Sequence, residues 1–113
     1  MEKTYAFARV EKRVPMTIAV RLEDEDLPLA ETAFTRNVSS HGAQVLTSRR
    51  WRTEARIQLA SMPGDFHARS RVAYCESTVD NGEIYVIGVE FLEPSGHWVV
   101  DQAAATSGKI LNG

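Results

Sequence analysis

Two guanidinium groups stand four residues apart near the start of the sequence, in Arg9-Val10-Glu11-Lys12-Arg13, and further along lies Asn37-Val38-Ser39-Ser40-His41-Gly42. A guanidinium is planar and permanently charged. Its fork of N–H donors matches a phosphate bidentately, and its plane stacks on a base. Asn and Ser are short side chains that hydrogen-bond nearby backbone and hold turns. Gly42 offers a backbone position that reaches φ > 0, or that lets another group come close to the main chain. The Asn-x-Ser-x-x-Gly stretch by itself reads as a hairpin loop. Beside a paired-arginine arm it becomes a receptor for an anionic ligand that carries a base.

The elements that must position these residues are strands. Residues 1–13 show no sustained period and read as a mobile arm. Val14 to Leu22 alternates, with Val14, Met16, Ile18, Val20 and Leu22 on one face, which predicts a half-buried strand. Pro15 cannot donate to a ladder and belongs near that strand's start or on an edge. Glu23-Asp24-Glu25-Asp26 is a run of acids that repel one another, which predicts a solvated loop tip. Leu29 to Thr35 is a second strand, and Asn37 to Gly42 is the turn after it. Gly42 to Thr47 is a third strand. Glu54 to Ala60 points Ala55, Ile57 and Leu59 inward.

Pro63-Gly64-Asp65 signals a turn. Phe66 to Glu76 follows as a long strand, with Phe66, Ala68, Val72 and Tyr74 on one side and His67, Arg69 and Arg71 on the other. The Asn81-Gly82 pair favours a primed hairpin turn. Ile84 to Leu92 is the most hydrophobic strand, and Gly88 within it suggests a bulge, a bend or a close backbone approach. Six strands on short connections predict an all-β antiparallel barrel or sandwich. Ser95 as a cap and the spacing of Trp98, Val99, Gln102 and Ala103 predict a short helix over 96–105 that packs Trp98 on the barrel. Residues 106–113 read as a tail.

Size and composition bound what such a chain does. At 113 residues it is one domain, with 43% hydrophobic and 25% charged residues. Thirteen basic and 15 acidic residues leave a formal charge of −2. That balance counts against general nucleic-acid coating but suits a locally basic site for one small anion. The single cysteine, Cys75, excludes an internal disulfide and suits a reducing compartment. No apolar run approaches the ~18–20 residues of a membrane span, and residues 1–4 lack the apolar core of a signal peptide. A cytoplasmic location is expected.

Arg9-x-x-x-Arg13 before the first strand, followed by Asn37-x-Ser39-x-x-Gly42 after the second, resembles the PilZ family. The closing run Ile87-Gly88-Val89-Glu90-Phe91-Leu92 resembles the end of a PilZ domain, so the likeness covers residues 9 to about 100. The resemblance implies a six-stranded β-barrel that serves bacteria as a receptor for the second messenger cyclic diguanylate (cyclic di-GMP). It implies that Arg9 and Arg13 grip phosphate and stack on guanine. Asn37 and Ser39 would then bond a guanine edge, while Gly42 keeps the turn clear. Arg36 and His41 are secondary candidates. Ala8 stands where many members carry a further arginine, which leaves open whether one messenger or an intercalated pair binds.

Charge-assisted hydrogen bonds of ~1.5–3 kcal/mol each and stacking of ~1–3 kcal/mol per base stand against about 1–2 kcal/mol per residue ordered. A roughly micromolar site follows. Ordering of the arm is then the signal to a protein partner. The alternative is a PilZ-like protein-interaction module that does not depend on the nucleotide.

Other features have plainer readings. Arg49, Arg50 and Arg52 flank Trp51, which is expected to tuck into the barrel. Cys75 reads as a packed thiol. His41, His67 and His97 lack metal-ligand spacing. No nucleophile–base pair or phosphate-cradling glycine loop is visible, so no enzyme activity, cofactor or metal is expected.

Overall fold

A computed structural model describes residues 12–78 and 83–100 of the chain. Its elements are strands β1 (Val14–Pro15), β2 (Ala19–Asp24), β3 (Ala30–Ser39), β4 (Gly42–Thr47), β5 (Arg56–Ser61), β6 (His67–Ser77) and β7 (Tyr85–Ser95). Neighbours run in the order β3-β2-β5-β6-β7-β4, all antiparallel, and β4 pairs back onto β3. The result is a closed six-stranded barrel with one extra strand, β1, beside β3. Closure leaves the six strands no open edge.

The alternation read from the sequence fills the interior. Val20 and Leu22 of β2, Val45 of β4, Ile57 and Leu59 of β5, Val72 of β6 and Ile87 of β7 are all fully buried. Trp51 is 2% exposed and joins this core, as expected for the loop that carries it. Its indole N–H donates to Glu31 Oε1 at 3.1 Å, and Ser48 Oγ donates to the other oxygen of the same carboxylate at 2.7 Å. Cys75 is half-buried against the core.

The expected strand Val14–Leu22 is interrupted. It forms two pieces, β1 and β2, on the same side of β3: Pro15 pairs with Asn37 and Ala19 with Phe34, so this segment carries one residue more than β3 across the break. On the other side of β3, against β4, it is β3 that carries the extra residue. Thr35 pairs with Val45 and Asn37 with Gln44, so Arg36 is bulged out of the ladder. Across the gap two backbone bonds remain, from the Thr35 N–H to the Ile18 carbonyl at 2.9 Å and from the Met16 N–H to the Arg36 carbonyl at 3.4 Å, and the buried Thr35 hydroxyl adds two more. Its Oγ1 accepts the Ile18 N–H at 2.8 Å and donates to the Met16 carbonyl at 2.7 Å.

The second strand also runs further than the pattern indicated. β3 continues through Ser39, which pairs with Gly42, so only Ser40 and His41 form the turn. The bulge explains why. One inserted residue reverses which side chains face inward, and Val38, fully buried, takes the interior position that Asn37 would otherwise hold.

A second bulge reverses β6. Val72 pairs with Val89 and Tyr74 with Gly88, leaving Ala73 without a partner. Tyr74 therefore stands on the outer surface, not on the inner face with Phe66, Ala68 and Val72. The acidic run is more structured than a solvated tip. Asp24 ends β2, its Oδ1 accepts the N–H groups of Asp26 and Leu27, and Glu25 is held by Arg69.

Of the helix expected over 96–105, only Val99 and Val100 carry helical backbone within the described residues, and 101–105 lie outside them. Trp98 is buried as anticipated, against Phe66 at 4.6 Å and Phe91 at 5.2 Å between ring centroids. The Asn81-Gly82 turn, most of the arm at 1–13 and the tail at 106–113 also fall outside the described residues.

Candidate binding site at the β3–β4 hairpin

Val14 pairs with Val38 and Pro15 with Asn37. Arg13 directly precedes Val14, at the end of β1 nearest the β3–β4 turn. Arg13, Asn37, Ser39, Gly42 and the turn residue His41 are thus gathered where β1 meets the β3–β4 hairpin. Arg13, Arg36 and His41 are exposed, Asn37 is half-buried, and Ser39 and Gly42 are buried. Arg9 lies outside the described residues.

Each side chain has a definite local setting. Asn37 Nδ2 donates to Gln44 Oε1 at 2.7 Å across the β3–β4 ladder. Ser39 is 5% exposed; its hydroxyl reaches the Gly42 carbonyl at 3.4 Å, and its own carbonyl accepts the Trp98 indole N–H at 2.8 Å. The His41 carbonyl accepts the Phe91 N–H at 2.8 Å. The hairpin is therefore tied down at its tip by β7 and by Trp98.

Gly42 differs from the expectation. Positive φ is confined to Glu54, Gly64 and Gly96 among the described residues, so Gly42 is not there for a left-handed turn. A Cβ at Gly42 would instead land on the Val89 carbonyl oxygen. The glycine serves the close approach of β4 to β7 that helps close the barrel.

The charge around the hairpin is uneven. Arg71 bonds Glu90 through Nε at 2.8 Å and Nη2 at 2.7 Å, and Glu54 through Nη1 at 2.6 Å. The bond to Glu90 holds its guanidinium pKa above the ordinary value. Arg21, Arg52, Arg56 and Arg69 likewise face carboxylates. Among the described residues, no carboxylate pairs with Arg13 or Arg36. Arg49 and Arg50 of the β4–β5 connection also lack a carboxylate among the described residues, Arg50 lying instead over the Tyr85 ring. The unpaired cations beside the Asn37–Ser39 segment are Arg13 and Arg36. Such a site favours an anion.

Two participants escaped sequence reasoning. Gln44 Nε2 donates to Tyr74 Oη at 2.5 Å, so Asn37, Gln44 and Tyr74 form one chain of side chains along the outside of β3, β4 and β6. Period-two reading placed Tyr74 in the interior, and the bulge at Ala73 moved it out. Among the described residues, no three of His, Cys, Asp and Glu come together as a metal site, and no helix is long and apolar enough to cross a membrane.

The model of the PilZ domain matches residues 7–98. The match spans most of the 113 residues, and the chain belongs to the PilZ domain family. That is a family of cyclic diguanylate-binding adaptor domains, not of enzymes. No curated protein matches the chain.

Proposed function

We propose that this chain is a receptor for cyclic diguanylate that binds the messenger at the β3–β4 hairpin. The observation that supports it is the β1–β3 register, which pairs Val14 with Val38 and Pro15 with Asn37 and so sets Arg13 at the end of β1 next to this segment; among the described residues no carboxylate pairs with its guanidinium. In this reading Arg13, with Arg9, grips phosphate and stacks on a base. Asn37 and Ser39 meet a guanine edge. Arg36 adds positive potential from its bulged position, and exposed His41 borders the ligand. Gly42 acts indirectly, by letting the hairpin lie against β7. Engagement of both arginines fixes the segment 1–13 on the barrel, and the altered surface is what a partner protein reads.

Calorimetric titration of the folded protein with cyclic diguanylate, with GMP as control, tests this. Saturable binding of the dinucleotide is expected, and its stoichiometry decides between one messenger and an intercalated pair. Arg13 is exposed, so Arg13→Ala leaves the fold intact. The variant should weaken binding by about 10- to 150-fold, the loss of one charge-assisted contact. Arg13→Lys should recover little, because a lysine has no fork and no stacking plane. A folded protein that takes up no cyclic diguanylate is instead a protein-interaction module.

A further inference from the structure

Asn37 is the residue that would read the base, yet an amide presents either a carbonyl or an NH2 depending on how it is turned. Its orientation is set by what holds the other end. Here Asn37 Nδ2 is given to Gln44 Oε1 at 2.7 Å, and Gln44 Nε2 to Tyr74 Oη at 2.5 Å. Among the described residues no donor bonds Asn37 Oδ1, so the carbonyl is the end of the amide left for a ligand.

The far end of this chain is itself built. Tyr74 pairs with Gly88, which in turn pairs with Gln44. A Cβ on Gly88 would fall inside the Tyr74 ring. The glycine therefore leaves the space in which the ring crosses β7, its hydroxyl reaching Gln44 on the next strand. Two bulges, at Arg36 and Ala73, place the first and last members of the chain on the outside of the barrel.

We infer that Gln44 and Tyr74 are positioning residues that hold Asn37 with its carbonyl toward the ligand, and so make the site selective for guanine over adenine. This rests on the receptor reading above. Guanine offers N1–H and N2–H donors side by side on its Watson–Crick edge, and both suit a carbonyl. Adenine offers a bare N1 acceptor there, which faces the Asn37 oxygen with like partial charge. An amide free to turn over would present NH2 to that acceptor and lose the distinction.

The test measures affinities for cyclic diguanylate and cyclic diadenylate across a set of variants, reading their ratio. Gln44→Leu and Tyr74→Phe should each cut the preference for the guanine dinucleotide by about tenfold, one hydrogen bond's worth of orientation. Gln44→Glu is the conservative rescue. Both of its oxygens are acceptors, one for Asn37 Nδ2 and one for the Tyr74 hydroxyl, so Asn37 keeps the same face outward. The added negative charge weakens both dinucleotides alike, and the ratio should stay near that of the wild type. In ligand-free protein, the Asn37 side-chain NH2 resonances in an amide NMR spectrum should move on Tyr74→Phe, which does not touch Asn37. An unchanged ratio in Gln44→Leu and Tyr74→Phe, with wild-type binding intact, overturns the positioning role alone. Absence of cyclic diguanylate binding in the wild type overturns the receptor reading and this inference together.

Discussion

Thr35 shows how much a single hydroxyl decides in this barrel. It is 1% exposed, accepts the Ile18 N–H and donates to the Met16 carbonyl. Those backbone groups sit where β1 breaks from β2, and no ladder bond replaces the hydroxyl's. Valine has nearly the same shape and would leave the buried Ile18 N–H without its acceptor and the half-buried Met16 carbonyl without this donor. Thr35→Val should therefore cost about 2–4 kcal/mol, one to two unsatisfied polar groups, measured by urea denaturation followed by circular dichroism. Because the break positions β1, the variant should also loosen Arg13 and weaken cyclic diguanylate beyond what its stability alone explains. A variant as stable as the wild type would show that Thr35 is only a space-filler. At Gly42 the constraint is steric, since any side chain would strike the Val89 carbonyl.

Among the elements, the β3–β4 hairpin is the one that joins site to core. Its Ser39 carbonyl accepts from Trp98, and its His41 carbonyl from Phe91 of β7. Trp98 in turn packs in a cluster with Phe66 and Phe91. Residues following β7 are thereby connected to the ligand-reading segment through one indole N–H. Trp98→Ala should destabilise the fold by about 3–5 kcal/mol, as for other buried aromatic truncations. Trp98→Phe keeps most of the packing but removes the indole donor to the Ser39 carbonyl, and about 0.5–1.5 kcal/mol is expected. If the hairpin's geometry depends on that bond, Trp98→Phe should also weaken messenger binding measured by calorimetry, with the barrel still folded. Equal affinity in Trp98→Phe and wild type would confine Trp98 to stability.

Over the whole molecule, the outer surface of the barrel carries an ion-pair lattice that belongs to the sheet rather than to the site. Arg69 Nε holds Glu25 Oε2 at 2.9 Å, with Glu93 at 3.7 Å from Nη1, and Gln58 also donates to Glu25 at 2.7 Å. The hydrogen bond from Arg69 lowers the pKa of Glu25 below its ordinary value. Asp65 is lowered too, chiefly by the backbone N–H of His97. A carboxylate with a depressed folded-state pKa contributes stability above the unfolded value and loses it as the pH falls through the folded one. The urea midpoint should therefore decline on acidification through the carboxylate range. Glu25→Gln should lie below wild type at neutral pH and converge with it in acid. High salt should shrink the neutral-pH gap, since exposed charges are screened. A gap independent of both pH and salt would assign the effect of Glu25 to packing.

The amino-acid sequence by itself determined the all-β class and most of the strand cores, and it supplied the residues of the proposed site. Alternation carries that information because each strand has one face in the interior. Ile18, Val20, Leu22, Ala55, Ile57 and Leu59 are buried as their spacing indicates. The paired arginines and the Asn-x-Ser-x-x-Gly stretch were legible as chemistry, and both lie within residues 7–98, the span of the family match. Tertiary structure alone decided where the alternation slips. An extra residue at Arg36 or at Ala73 leaves no trace in composition, yet each reverses every side chain beyond it. Those two slips put Asn37 outside and Val38 inside, and brought Tyr74 to Gln44 from thirty positions away in the chain. The role of Gly42 was likewise hidden, because the carbonyl it must clear belongs to β7, a neighbour that exists only once the barrel has closed.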